Sequence, residues 1–198
     1  MNKEIIDKTI AALRHNHFEA FFAHNTAEAS AIFFRDIFPG LQVETVSWGD
    51  SETMKATGID SFAPGMSRKQ KIYWRRQALL TDLFLTGSNA LTQKGQLVNL
   101  DMIGNRVGGI TFGPKHVVLF IGINKITANL EEAMHRVRTI AAPRNAIRHE
   151  GFRTPCHKTG VCMDCNSPDR ICNVWTITEK SYPAGRIKVI LIGEELGL

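Results

Sequence analysis

Five consecutive apolar residues, Val117-Val118-Leu119-Phe120-Ile121, stand between His116 and Gly122. The run has no polar side chain to turn toward water and is rich in β-branched and aromatic residues. It therefore reads as a central strand covered on both faces. Such a strand needs a layer above and a layer below, and the periodic segments around it supply them. From Lys3 to Arg14, Ile6, Ile10 and Leu13 share one helical face. Asn25 with Glu28 makes a capping-box start to a helix that ends before Pro39-Gly40, with Asn25 as a cap rather than a ligand. Asn129 with Glu132 opens another, with Leu130, Met134, Val137 and Ile140 on its apolar side and Pro143 as its stop. Phe18–Phe22, Gln42–Ser47 and Leu83–Leu85 read as further strands. Strand–helix alternation of this kind predicts a three-layer α/β domain with a largely parallel sheet flanked by helices. At 198 residues and 43% hydrophobic content, residues 1–198 can bury such a core as a single domain.

Open α/β sheets bind ligands outside the carboxyl ends of their strands. Leu83-Phe84-Leu85 runs into Thr86-Gly87-Ser88-Asn89 at such an end, and Lys94-Gly95 looks like a hairpin tip. The return limb, Gln96 to Leu100, would carry Asn99, Asp101 and Gly104-Asn105-Arg106 back to the same edge. Gly122-Ile123-Asn124-Lys125 follows the central strand in the same way, with Lys125 either a ligand to an anion or an ordinary surface lysine. The site predicted for a small anionic metabolite is thus Gly87, Ser88, Asn89, Asn99, Gly104, Asn105, Arg106 and Lys125, with Asp101 the general-base candidate. Trp48-Gly49-Asp50-Ser51-Glu52-Thr53 is either a second rim or a helix start capped by Asp50 or Ser51.

These segments carry a family resemblance. Leu85-Thr86-Gly87-Ser88-Asn89-Ala90, Gly95-Gln96-Leu97-Val98-Asn99, Gly104-Asn105-Arg106, Phe112-Gly113-Pro114-Lys115 and Gly122-Ile123-Asn124-Lys125-Ile126 resemble the LUD domain family, named for lactate utilisation. The resemblance implies the fold shared by ribose-phosphate isomerases, glucosamine-phosphate deaminases and CoA transferases. It also implies a component of carbon metabolism that supports oxidation of L-lactate to pyruvate beside iron–sulfur or flavin redox subunits. Two departures matter. Family members tend to carry a glycine where Asp50 stands, and related isomerases use an acidic residue near the position of Asn89, whose amide cannot accept a proton as a carboxylate does. Fold alone does not choose a reaction. An independent enzyme acting on a phosphorylated sugar, a CoA ester or another small anion, and a non-catalytic metabolite-sensing or partner-binding protein, therefore remain alternatives.

The net charge of +5 and the pI near 9.2 suit an anionic ligand, and the basic residues are dispersed rather than clustered, which argues against a nucleic-acid partner. The densest positive stretch, Arg68, Lys69, Lys71, Arg75 and Arg76, follows a turn at Pro64-Gly65. It reads as the solvated face of a helix opened by Ser67 and Gln70, with Ile72, Tyr73, Trp74, Ala78 and Leu79 as its apolar stripe. No stretch reaches membrane-spanning length and no signal core opens the chain, so a cytoplasmic location is expected.

All four cysteines lie at 156-172, as Cys156, Cys162, Cys165 and Cys172, spaced C-x5-C-x2-C-x6-C. Cys162 and Cys165 have the spacing by which two thiolates reach one ion, and four thiolates suffice for zinc or an iron–sulfur cluster. Free thiols and a metal-free redox pair are the other readings. Val174–Thr178 and Ile187–Ile192 then read as closing strands joined through Pro183-Ala184-Gly185, which makes the cysteine segment an excursion within the domain.

Overall fold

A computed structural model describes residues 2–59 and 68–198. The expected Pro64-Gly65 turn and the Ser67 cap lie outside the described residues. In chain order the elements are α1 (Lys3–His15), β1 (Glu19–Ala23), α2 (Thr26–Ile32), β2 (Val46–Trp48), α3 (Glu52–Ala56), α4 (Arg68–Gln77), β3 (Leu83–Thr86), β4 (Ala90–Thr92) and β5 (Leu97–Asp101). They continue with α5 (Asn105–Thr111), β6 (His116–Gly122), β7 (Ile126–Thr127), α6 (Leu130–Arg136), α7 (Ala142–Ile147), α8 (Pro155–Thr159), β8 (Val174–Thr178) and β9 (Ile187–Ile192).

Strand β6 is the centre of a five-stranded sheet ordered β1-β9-β6-β3-β2, in which every pairing is parallel. Its side chains alternate between two cores. Val117, Leu119 and Ile121 pack with Ile6, Ile10 and Leu13 of α1, while Val118 and Phe120 pack with Ala29, Ile32 and Phe33. The uninterrupted apolar run therefore serves both faces of one strand, and the fold is a three-layer α/β arrangement with helices flanking the sheet. Leu13 is fully buried at the bottom of one core. Truncating such a leucine to alanine typically costs about 2–5 kcal/mol.

A second sheet, ordered β7-β4-β5-β8, stands beside the first. Its heart is the expected hairpin, β4 against β5. Gly95 at the tip has φ of +78°, and an added Cβ would lie 2.8 Å from the backbone of Ala12, so the turn sits directly on the end of α1. Asn16 Nδ2 fastens it by donating to the Lys94 carbonyl at 2.8 Å. Strand β8 pairs with β5 in this second sheet, whereas β9 pairs with β1 and β6 in the first. The two closing strands are thus divided between sheets, with Pro183-Ala184-Gly185 lying on the passage between them.

The caps follow the sequence. Asn25 and Asn129 each accept a hydrogen bond from the backbone N–H of Glu28 and Glu132, and those glutamates accept from His24 N and Ala128 N in return. Pro143 does not stop its helix. A π turn over Val137–Ala141, in which the Ala142 N–H bonds to the Val137 carbonyl, widens the spiral ahead of the proline, and α7 continues to Ile147. Ala133, Arg136 and Val137 face inward, while Met134 and Ile140, expected inside, are each 37% exposed. Tyr73 and Trp74 of α4 also face water, leaving Ile72, Ala78 and Leu79 half-buried. Among the described residues, no helix is long and apolar enough to cross a membrane.

Candidate functional site

Strand β3 is wholly buried and stops at Thr86. At Gly87 a Cβ would fall 2.6 Å from Ser51 Oγ, so glycine is what lets the end of β3 meet the start of α3. Ser51 caps that helix, accepting from Met54 N at 3.2 Å. The next residues are pinned by the second sheet. Ser88 Oγ and Asn89 N–H both donate to Asn99 Oδ1, at 3.1 and 3.2 Å, and Asn89 Oδ1 accepts from Leu100 N at 2.9 Å. The antiparallel register of β5 is what delivers these partners.

Arg106 enters from the first turn of α5. Its Nη2 donates to Asn89 Oδ1 at 2.6 Å and to Asp101 Oδ1 at 2.6 Å, and its Nε donates to Asp101 Oδ1 at 2.9 Å. Asp101 Oδ2 in turn accepts from the backbone N–H groups of Arg106 and Val107 at 3.0 and 2.9 Å. The carboxylate thus takes four hydrogen bonds and also serves the exposed end of α5. Arg106 Nη1 makes no hydrogen bond to any described residue, while the rest of the guanidinium is locked.

Lys125 ends the turn after β6 and is only 4% exposed. Its Nζ donates to Thr53 Oγ1 at 3.0 Å, and no carboxylate among the described residues pairs with it. Burial, with help from the charges of Arg136 and Arg106, pushes its pKa down to about 7. Arg136 is itself buried and spans the elements around this point, donating to the carbonyls of Asn124 at 3.1 Å and Asn89 at 2.7 Å.

These groups face one cleft of about 260 Å³. Gly87, Ser88, Asn89, Asp101, Asn105, Arg106 and Lys125 line it; Asn99 and Gly104, also expected there, do not. Asn99 is fully buried behind the wall as the anchor of Ser88 and Asn89, and its Nδ2 has no hydrogen-bond partner among the described residues. Gly104, at φ +79°, turns the chain into α5. The Asp50 loop supplies the opposite rim. Asp50 and Glu52 both pair with Arg148 and with Lys55. Burial favours the neutral form of Asp50, but hydrogen bonds from Lys55 and Arg148 outweigh it and hold the carboxyl below its ordinary range. His149 beside them is pushed below its usual value by burial and by Arg148.

Sequence reasoning missed Arg136, Arg148 and His149. Arg136 left a signal: it shares a helical face with Ala133 and Val137, and a charge on an apolar face marks a paired or functional group. Arg148 and His149 follow α7, which was not expected beyond Pro143.

The cysteines form a separate place. Cys156, Cys162, Cys165 and Cys172 all border one small cavity, together with Pro143, Met163 and Arg170. All four are free thiols. Among the described residues no three His, Cys, Asp or Glu side chains are grouped to hold one metal ion. Arg170 shapes the loop, donating to the carbonyls of Cys165 and Cys172 and to Asp164.

No curated protein matches the chain in sequence. A solved structure, the crystal structure of a DUF162 family protein from Deinococcus radiodurans, matches it with a TM-score of 0.55 over 96% of each chain, at 14% sequence identity. That likeness concerns the fold. The LUD domain model matches residues 6–192, nearly the whole chain, and the chain therefore belongs to the LUD domain family.

Proposed function

We propose that the cleft holds a small carboxylate metabolite of the lactate–pyruvate class, and that the chain is a component supporting oxidation of L-lactate to pyruvate. The observation that carries this reading is the pair of basic side chains on one wall, Arg106 held by Asp101 and Lys125 with no carboxylate partner among the described residues. Arg106 presents an unengaged Nη1, and Lys125 is buried without a carboxylate partner. A buried cationic site of this kind is stabilised by an anion that brings its own charge. Asn89 and Asp101 hold the guanidinium in place, which spares its ordering cost on binding. The volume lies below the roughly 300–1,000 Å³ of clefts that take drug-sized ligands, which favours a metabolite of few heavy atoms over a CoA ester.

Removing two electrons and two protons from a 2-hydroxy acid needs an acceptor. In this reading an iron–sulfur or flavin subunit takes the electrons, and the present chain binds and orients the acid. Asp101 is a positioning residue rather than the general base, since both its oxygens are already engaged. Calorimetric titration with L-lactate, pyruvate, a phosphorylated sugar and a CoA ester tests the reading. Binding of the two small acids, weakened at least tenfold in Arg106→Lys because lysine cannot keep the Asp101 and Asn89 bonds while presenting a further donor to the ligand, is the expected result. Preference for the phosphorylated sugar or CoA ester would replace it with an independent enzyme of another substrate class, and no binding by any would leave a partner-binding role.

The cysteine cavity supports a second element of the reading, an iron–sulfur cluster or zinc ion held by Cys156, Cys162, Cys165 and Cys172. Four thiols bordering one cavity are the observation that favours it. The four thiolates would hold the group, and Arg170 and Arg138 beside them would offset thiolate charge.

A further inference from the structure

We infer that Lys125 is an amine nucleophile that forms a reversible imine with the carbonyl carbon of a small 2-oxo acid bound in the cleft. The inference rests on the carboxylate reading of the site and extends it from binding to covalent chemistry.

Four features carry it. Lys125 is all but sealed from solvent yet lines the cleft, so it borders the ligand space while screened from bulk water. No carboxylate among the described residues neutralises it, unlike Lys55, which pairs with both Asp50 and Glu52. Its one hydrogen bond goes to Thr53 Oγ1, and that hydroxyl donates onward to the Leu196 carbonyl at 3.2 Å, which leaves an oxygen lone pair for Nζ. An uncharged amine fastened through one N–H keeps its own lone pair for the open side. Finally, the surrounding side-chain charges that act on it, Arg106 from α5 and Arg136 from α6, are cationic and favour the free amine, as burial does.

With Arg106 Nη1 holding the carboxylate, the lone pair of Nζ attacks C2 of the 2-oxo acid and the carbon–nitrogen bond forms. The nitrogen's two protons pass to the former carbonyl oxygen, which leaves as water, and the product is the imine. A 2-hydroxy acid has no carbonyl and stops at the ion pair. The site thereby separates the two members of a redox couple that differ by two hydrogens: the oxidised acid is captured and the reduced acid exchanges freely.

The test is reductive trapping in the full chain at neutral pH. The protein is incubated with pyruvate and sodium cyanoborohydride, digested, and mapped by mass spectrometry, while calorimetry without reductant follows binding of pyruvate and of L-lactate. The expected result is a reduced adduct on Lys125 exceeding that on any other lysine by about a thousandfold, as its larger free-amine fraction predicts. L-lactate should suppress the adduct without forming one. Because the adduct is located in the unsubstituted protein, the result does not depend on a variant folding; Lys125→Arg serves as a blank. Pyruvate binding with no adduct at Lys125, or adducts spread evenly over surface lysines, would overturn the imine and leave the carboxylate site standing. Absence of both binding and adduct would remove the carboxylate site and the imine with it.

Discussion

The cleft and the cysteine segment are both places where the chain gathers chemistry-bearing side chains, and they are built in opposite ways. The cleft draws its groups from Glu52, Asn89, Asp101, Arg106 and Lys125, which are distant in sequence and brought together by two sheets. Several polar groups on its wall are fixed by neighbours, as in the chain from Asn99 through Asn89 to Arg106 and Asp101. The cysteines come from α8 and the segment that follows it, border a common cavity without being grouped for a single ion among the described residues, and are each only partly buried. A framework of strands preorganises a site before any ligand arrives, because the ordering cost was met in folding. A short loop is cheap to close and can wait for its ligand to organise it.

That contrast can be broken at several points. The largest effect is expected from Lys125→Met. Between its folded pKa of about 7 and the roughly 10.4 of an unfolded lysine, the unfolded chain carries a proton that the folded chain lacks. Stability from this group therefore rises with pH across that window and is lowest below about pH 7. Urea unfolding from pH 7 to 10 should show the wild type gaining on the order of 4 kcal/mol relative to Lys125→Met. A constant difference between the two would mean that Lys125 is charged in the folded protein.

Asp101→Asn comes next. It removes the charge that four donors address and leaves Arg106 without its partner, in a pair whose side chains are only 6% and 15% exposed. Breaking a buried pair from one side costs roughly 3–5 kcal/mol, measurable as a lowered urea midpoint. If Asp101 were instead a free general base, the variant would stay stable and lose turnover alone. The same geometry predicts that Arg106→Ala strains the fold as well as the ligand site, since it abandons the Asp101 carboxylate.

The smallest effect on the cleft is expected from Cys162→Ser with Cys165→Ser. Pyruvate affinity measured by calorimetry should change by no more than about 0.5 kcal/mol, since Ile171 alone lines both places and neither cysteine lines the cleft. In anaerobically purified protein the same pair should abolish stoichiometric iron and sulfide, or zinc. Protein that repeatedly lacks all three before substitution would end the metal reading and leave the cysteines as plain thiols.

Much of this was legible along the chain. The run from Val117 to Ile121 fixes a two-faced strand because no residue in it tolerates water, and the asparagine caps at Asn25 and Asn129 are read from residues three apart. Gly87, Ser88, Asn89, Asp101, Asn105, Arg106 and Lys125 were expected in one cleft and line it. The failures are longer-range. Pro143 was expected to end its helix, but a π turn absorbs it, and that extension carries Arg148 and His149 to the cleft. Asn99 and Gly104 were expected among the lining residues, yet one is an anchor behind the wall and the other a turn.

Local chemistry explains what the sequence by itself determined: apolar runs, helix periodicity, caps and a glycine hairpin depend on residues close along the chain, as does membership of the LUD domain family, which is carried by short motifs in register. Only the tertiary structure decided that β8 and β9 belong to different sheets, that Asp101 faces four donors and that Lys125 meets a hydroxyl instead of a carboxylate. Residue types state which groups can accept a proton or bind an anion. Whether they are free to do so depends on which neighbours already hold them and how much water is left, and both are settled by contacts between segments far apart in the chain.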